Sequence, residues 1–455
     1  MLIRFVIENI FSFGERKEFT TIPNNRLKTL EYHKYDYGNI KILKIASIYG
    51  ANGAGKSNLI KSLELFQKLI VREKIPFRLK DSKFKFNNSK DNNNQIFAIE
   101  FIQENIAFYY GIILNGRRIA TEELYLSGLG KNKDKLLFER KTHENNKTDI
   151  IFFDEFENDE KSQILKSVLL EEFVKPDEPI LKLLSNRDNK FLTKVKIAFK
   201  WFDDTLQIIT PDSRPRALAH KIDIDKEFKN YAKDLMCSFN IGITDLTSDK
   251  KDLKEFFGEG NEKELDNLIK DVEDSPQKMI GLRSNKGDEV IIVKENGEVW
   301  VKTLKVGHVG KRNKSVLFDL DEESDGTVRL LDFVPAFKSI ISNKRVYIID
   351  EIERSIHPLL IKELVQKFSL DPKTKGQLIF STHESNLLNQ EIFRQDEIWF
   401  AEKNQDGSTD LYSLNDFKEH KTIDIQKGYL SGRYGSIPFL GNLQDLNWHE
   451  YDTNK

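Results

Sequence analysis

Three short clusters, far apart in the chain, have the residue types and spacings of phosphate chemistry. The first is "GANGAGKS", Gly50 to Ser57, where two glycines flank a run ending in Lys56-Ser57. This fits the phosphate-loop pattern G-x-x-x-x-G-K-[S/T]. Glycines let backbone N–H groups turn toward phosphate oxygens, and a helix opening at the loop adds partial positive charge. Lys56 is expected to reach the β- and γ-phosphates and Ser57 to ligate Mg²⁺. Gly50, Asn52, Gly53, Gly55 and Asn58 would complete the nucleotide contacts.

The second cluster is "RVYIIDEIE". Four apolar residues, Val346 to Ile349, read as a buried strand whose end presents Asp350 and Glu351. Asp350 suits holding Mg²⁺ through water or Ser57, and Glu351 suits polarising an attacking water. Two acids at a strand end also occur as plain capping residues, so the pairing with the glycine loop carries the reading. The third cluster, "QLIFSTHESNLL", ends an apolar run in Ser381-Thr382-His383. A histidine there can meet the γ-phosphate or the attacking water, or simply cap the next helix. A fourth stretch, "EESDGTVRLLDFVPAF", sets Ser324, Asp325 and Gly326 at the start of an amphipathic helix. By spacing alone it is a helix cap with Ser324 as N-cap.

These clusters need a scaffold. "IKILKIASIY", Ile40 to Tyr49, reads as a strand entering the glycine loop, and Leu59, Leu63, Phe66 and Ile70 continue at helical spacing. Strand, loop, helix is the context the loop motif requires. "RVYIID", "QLIFST" and "DEIWFAE" read as strands of a parallel α/β sheet. The alternating N-terminus, with "KEFTT" as hairpin partner, and the stretch from Gln95 to Leu126 read as antiparallel strands. From about Glu155 to Glu273 the chain turns Lys/Glu-rich with helical spacings, including "SQILKSVLLEEFV" and "KEFKNYAKDLMCSF". The acid cluster lies too far from the loop for a compact Ras-like core, which implies an insertion between two halves of one ATPase. The expected division is 1–150, a helical insertion or lid at 151–285, and 286–455.

Composition bounds the rest. The 455 residues carry a formal net charge of −2, so no global basic field drives nucleic-acid binding. "KVGHVGKRNKS" clusters Lys305, Lys311, Arg312 and Lys314, read as a solvated hairpin face; direct DNA contact stays open. The single cysteine, Cys237, excludes an internal disulfide and a cysteine-based zinc site. No apolar run approaches the ~18 residues of a membrane span, and the N-terminus carries Arg4 and Glu8 inside its apolar stretch. The expected compartment is the cytoplasm, without membrane attachment.

With the clusters in this order, the chain resembles an ABC-type ATPase of the SMC and recombination kind, with a split nucleotide-binding domain. The resemblance implies an ABC-type ATPase head of α/β class with a mixed sheet, an antiparallel β subdomain and a helical insertion. It implies ATP and Mg²⁺ as ligands, slow regulatory hydrolysis, and a homodimer glued by ATP, alone or within a larger ring. In that family the Ser-x-Gly signature turn closes on the γ-phosphate held by the partner, which assigns Ser324 and Gly326; "ESDGT" departs from the common L-S-G-G-Q form. "ENIFSF", "ESDGTVRLLDF", "IIDEIERSIHPLL", "STHESNLL", "DEIWFAEKN" and "YLSGRYGSIPFL" further resemble bacterial abortive-infection ATPases, a group that includes RloA, the abortive-infection L ATPase and AriA of PARIS. The resemblance covers roughly 1–70 and 315–440. It implies an anti-phage sensor or scaffold controlling a separately encoded effector, a Toprim-type nuclease, in response to a phage-derived trigger. The alternative is an SMC-like DNA-repair clamp that grips DNA itself. Arg433 and Tyr434 read equally as nucleotide or partner contacts and as a structural turn.

Overall fold

A computed structural model describes residues 1–75, 79, 82–86, 93–258, 262–275, 277–283, 289–311, 314–420 and 423–437. Its centre is a six-stranded sheet ordered Leu206–Ile209, Val346–Ile349, Gln377–Ser381, Ile45–Tyr49, Ile398–Lys403, Thr409–Ser413. The first five strands run parallel and the last antiparallel. Ile45–Tyr49, Val346–Ile349 and Gln377–Ser381 are buried at every position, because both faces of the sheet are covered. Alternate residues therefore feed two cores. Ile48, Ile348 and Ile379 pack with Leu63 and Phe66 of the helix Lys56–Arg72. Tyr49, Ile349 and Phe380 pack with Phe337 of the helix Asp325–Ser342 and Leu364 of the helix Pro358–Leu370.

A seven-stranded antiparallel sheet is laid over the first core. It joins the expected meander, Asn94–Gln103, Ile106–Asn115 and Arg118–Leu126, to Leu2–Glu8 and Lys17–Thr20 on one side. Lys135–Thr142 and Thr148–Phe152 extend it on the other. The Phe66 ring stacks on Phe97 with centroids 5.0 Å apart, locking this sheet to the phosphate-loop helix. A third sheet holds Ile243–Asp252, Glu298–Val309, Glu289–Glu295 and Met279–Arg283, with Ser315–Asp319 paired to Glu298–Val309. Its tight turn falls at Asn296-Gly297, both at positive φ, as such a hairpin requires.

Two elements differ from the sequence expectation. The stretch Ile40–Tyr49 is not one strand: Lys41–Leu43 pairs with Lys34–Asp36, and Ile45–Tyr49 enters the central sheet. The break falls at Lys44, whose ammonium donates to the Phe368 and Asp371 carbonyls at 3.2 and 2.8 Å. Nor is 151–285 purely helical. Helices Glu160–Val168 and Lys226–Ser238 are present, but Leu206–Ile209 forms the edge of the central sheet and Ile243–Asp252 enters the third. A four-residue apolar run cannot be assigned to strand or helix from periodicity. In the "KVGHVGKRNKS" cluster, Lys305 pairs with Asp319 on the hairpin, Lys311 and Lys314 are exposed, and Arg312 lies outside the described residues. No helix among the described residues is long and apolar enough to cross a membrane.

One buried polar knot fastens the intervening segment to the antiparallel sheet. Glu122 and Arg140 are both fully buried and 3.3 Å apart. Glu122 accepts the Tyr110 hydroxyl at 2.9 Å and the Ile180 and Leu181 N–H groups, while Arg140 donates to the Lys175 and Glu178 carbonyls. Glu122→Ala would leave a buried guanidinium uncompensated and two N–H groups without acceptors. It is expected to lower unfolding free energy by about 3–5 kcal/mol, read as a shift in denaturant midpoint.

Candidate nucleotide-binding site

The carboxyl ends of the parallel strands converge on one place, where ligands bind in open α/β sheets. Ile45–Tyr49 runs into the glycine loop, and the helix Lys56–Arg72 begins at its last residues. Lys56 is buried, and its ammonium donates to the Gly50 and Ala51 carbonyls at 2.8 and 3.1 Å. It also stands 3.3 Å from His383 Nδ1, so Nδ1 is the acceptor and the imidazole proton sits on Nε2. Burial lowers the Lys56 ammonium to about 8, against the pull of Glu353, Asp350 and Glu351. Burial, then the Lys56 charge, holds the His383 imidazole below its usual range.

The strand Val346–Ile349 delivers Asp350 to the same point. Ser57 Oγ donates to Asp350 Oδ1 at 3.0 Å, and Ser381 Oγ donates to the same oxygen at 2.6 Å. Ser381 Oγ in turn accepts the Glu351 N–H at 2.8 Å. One serine at the end of Gln377–Ser381 thus orients both acids. Glu351 is half-buried and sits at φ 51°, a left-handed conformation that a non-glycine residue adopts at a cost. A hydroxyl and a carboxylate are hard oxygen donors of the kind Mg²⁺ takes alongside waters and substrate phosphates. Ser57 and Asp350 therefore fit that ion.

The rest of the loop divides into an exposed tip and an anchored base. Asn52 and Gly53 are exposed at the tip, while Ala54 and Gly55 are buried. Thr409 Oγ1 donates to the Ala54 carbonyl at 2.9 Å and lies 2.7 Å from Ser12 Oγ, whose hydroxyl can donate back to it. Asn58 donates to the same Ser12 hydroxyl at 2.9 Å. Gly55 has φ +110°, and a Cβ there would lie 2.2 Å from Thr409 Oγ1. Sequence reasoning missed Thr409, Ser12, Ser381 and Glu353 as site residues. Three lie within motifs already singled out, whereas nothing in the sequence around Thr409 marks it.

Ser324 and Gly326 stand at the start of the helix Asp325–Ser342, packed against the loop that follows the acids. Ser324 Oγ accepts the Thr327 N–H at 3.2 Å, making it the N-cap of Asp325–Ser342. Ser324 and Asp325 are exposed. At Gly326 a Cβ would meet the Ser355 carbonyl oxygen at 2.5 Å, so the close approach of two backbones requires glycine. Arg433 and Tyr434 belong elsewhere. Tyr434 is buried and stacks on Phe400, and Arg433 pairs with Glu419 at 2.9 Å.

Gly55→Ala is expected to destabilise the chain measurably in thermal unfolding. Part of that loss should vanish in a Thr409→Ala background, because the closest contact is then removed; the residual reports the φ strain together with the Ser12 hydroxyl, 2.9 Å from the new methyl.

Among solved structures the chain is similar to SMC head domains. One, an SMC head bound to the C-winged helix domain of ScpA, shares 11% identity at a TM-score of 0.42, over 90% of this chain and 97% of that one. The SMC head domain from Thermotoga maritima gives 11% and 0.38, over 90% and 98%. A third SMC head, with an extended coiled coil and bound to the C-terminal domain of ScpA derived from Pyrococcus furiosus, gives 13% and 0.37, over 95% and 98%. No curated protein matches the chain in sequence. Residues 45–389, from the phosphate-loop strand to beyond His383, match the family model described as "AAA domain, putative AbiEii toxin, Type IV TA system", and the chain belongs to that family of AAA ATPases.

Proposed function

We propose that the protein binds and hydrolyses ATP as an ABC-type head, and that two copies close on the nucleotide. The observation that carries this is the 3.0 Å bond from Ser57 to Asp350 across 293 residues of chain. It brings together the hydroxyl and carboxylate that would hold Mg²⁺, which neutralises phosphate charge when bound. Gly50, Asn52, Gly53, Gly55 and Asn58 form the phosphate cradle, and Lys56 releases its two loop carbonyls to meet the phosphates. Glu351 polarises the attacking water, and neutral His383, beside Lys56, monitors the terminal phosphate. Ser324 and Gly326 act on the nucleotide of the other copy through the N-terminus of an 18-residue helix whose N-cap and first residue are exposed.

In this reading the two ATPase halves are 1–150 and 286–455, and the head is a slow switch rather than a metabolic enzyme. It serves an abortive-infection system by holding or releasing a separately encoded effector, a Toprim-type nuclease. The family's printed description and the sequence motifs after the first strand, at the signature turn and around His383 support that role. An adjacent reading frame for such a nuclease, whose product co-purifies with the ATP-bound protein, is the expected genomic and biochemical outcome. A metallophosphatase-type nuclease in its place would point to a DNA clamp.

Lys56→Ala is expected to abolish binding of a fluorescent ATP analogue. Glu351→Gln should retain binding and lose turnover by about 10²-fold or more, and its mass should double on ATP addition. An unchanged mass in Glu351→Gln with ATP would sink the two-copy reading. Because burial lowers Lys56 to about 8, it loses charge as pH rises through that value. ATP affinity is therefore expected to weaken between pH 7 and 9, approaching about tenfold per unit at the upper end, in an equilibrium titration.

A further inference from the structure

A half-buried carboxyl group that the assigned chemistry does not use, that of Glu353, lies beside the site. Glu353 follows Glu351 by two residues, and its Oε1 accepts the His383 N–H at 2.6 Å. Its Oε2 is shielded from solvent, and the Thr382 hydroxyl is a further hydrogen-bond partner of the carboxyl. Of the charges acting on Lys56, that of Glu353 is the largest, ahead of Asp350 and Glu351.

The backbone around Glu353 leads in the opposite direction. Its carbonyl accepts the Ile356 N–H at 2.8 Å, which forms a tight turn with Ser355 at φ 62°. Ser355 presents the carbonyl on which Gly326 rests, with no room for a methyl group. The sequence of contacts is continuous: Gly326, Ser355, the Glu353 turn, the His383 amide, and the His383 ring 3.3 Å from the Lys56 ammonium. Each step is a direct contact or a short hydrogen bond, and the Glu353 side chain is the link between the turn and the His383 amide.

We propose that Glu353 is a positioning residue: its carboxylate ties the turn beneath Gly326 to the His383 amide, so that displacement of the signature turn moves His383 against Lys56 within the same chain. The roles given to Gly326 and His383 rest on the reading above; the strut itself is a property of the contacts. Glu353 touches no reacting atom. It fixes the height of the loop from Thr382 to Glu384, and through it the histidine ring. A signature turn pressed by a second copy would then be felt at the phosphate lysine of its own chain.

The test is hydrogen exchange at the His383 amide in the full nucleotide-free chain, alongside steady-state ATP turnover. Glu353→Ala should speed exchange of that amide by about tenfold or more, because its acceptor is gone. Glu353→Gln, which retains an acceptor oxygen, should stay within about threefold of wild type. Gly326→Ala, whose methyl must displace Ser355, should also speed exchange at His383 by about threefold or more. In turnover, Glu353→Ala should lower kcat about tenfold with KM for ATP within about threefold, and Glu353→Gln should recover kcat to within about threefold. Unchanged exchange at His383 in Glu353→Ala or Gly326→Ala overturns the proposal, as does an equal kcat loss in the Ala and Gln variants. A wild-type chain with no turnover would remove the ATPase reading instead, and the exchange results would still decide the strut.

Discussion

Asp350 accepts two hydroxyl protons on one oxygen, from Ser57 at the start of a helix and from Ser381 at the end of a strand. Those donors come from opposite halves of the sequence, and the carboxylate makes sense only if both arrive. The bond geometry therefore requires Ile45–Tyr49, Val346–Ile349 and Gln377–Ser381 to be adjacent, parallel and in register. Their apolar faces supply the adhesion, because alternate side chains enter two separate cores and neither can be shifted by one residue without exchanging them. Chemistry at the strand ends and packing along the strands impose the same alignment.

The surrounding polar knots hold this sheet to its neighbours. His33 Nδ1 lies 2.9 Å from both carboxylate oxygens of Glu397, and its Nε2 lies 3.1 Å from Ser369 Oγ, all fully buried. Burial lowers His33 to about 3 and raises Glu397, so the two share one proton as a neutral pair rather than forming an ion pair. Arg394, also buried, bonds Asp396 at 2.9 Å and reaches the Thr29 carbonyl. These contacts pin residues 24–33 beside the entry to Ile398–Lys403. With Glu122 and Arg140, they fix the sequence-distant excursions that periodicity cannot place.

The glycine loop, the paired acids and the histidine were legible because each depends on residue type over a short span. The surrounding parallel strands were legible for the same reason: uninterrupted apolar runs bounded by polar residues. What the sequence hid is long-range. Thr409 is an ordinary strand threonine until the fold brings it beneath Ala54, and Ser381 is one hydroxyl among many until it meets Asp350. Leu206–Ile209 sits between two helical patterns and shows its strand character only by pairing with Val346–Ile349. Glu353 lay in plain view within "DEIERS", but its partner amide 30 residues away had no local sign.

The edge strand Leu206–Ile209 has an architectural consequence. Its final carbonyl accepts the N–H of Asp350 at 2.8 Å, so this segment supplies part of the floor beneath the paired acids. The insertion is not a detachable cassette. Replacing it with a short linker would strip a rail from the sheet and leave the amide of its central acid bare. Divergence among related heads should therefore accumulate on the outer helices and spare this four-residue rung.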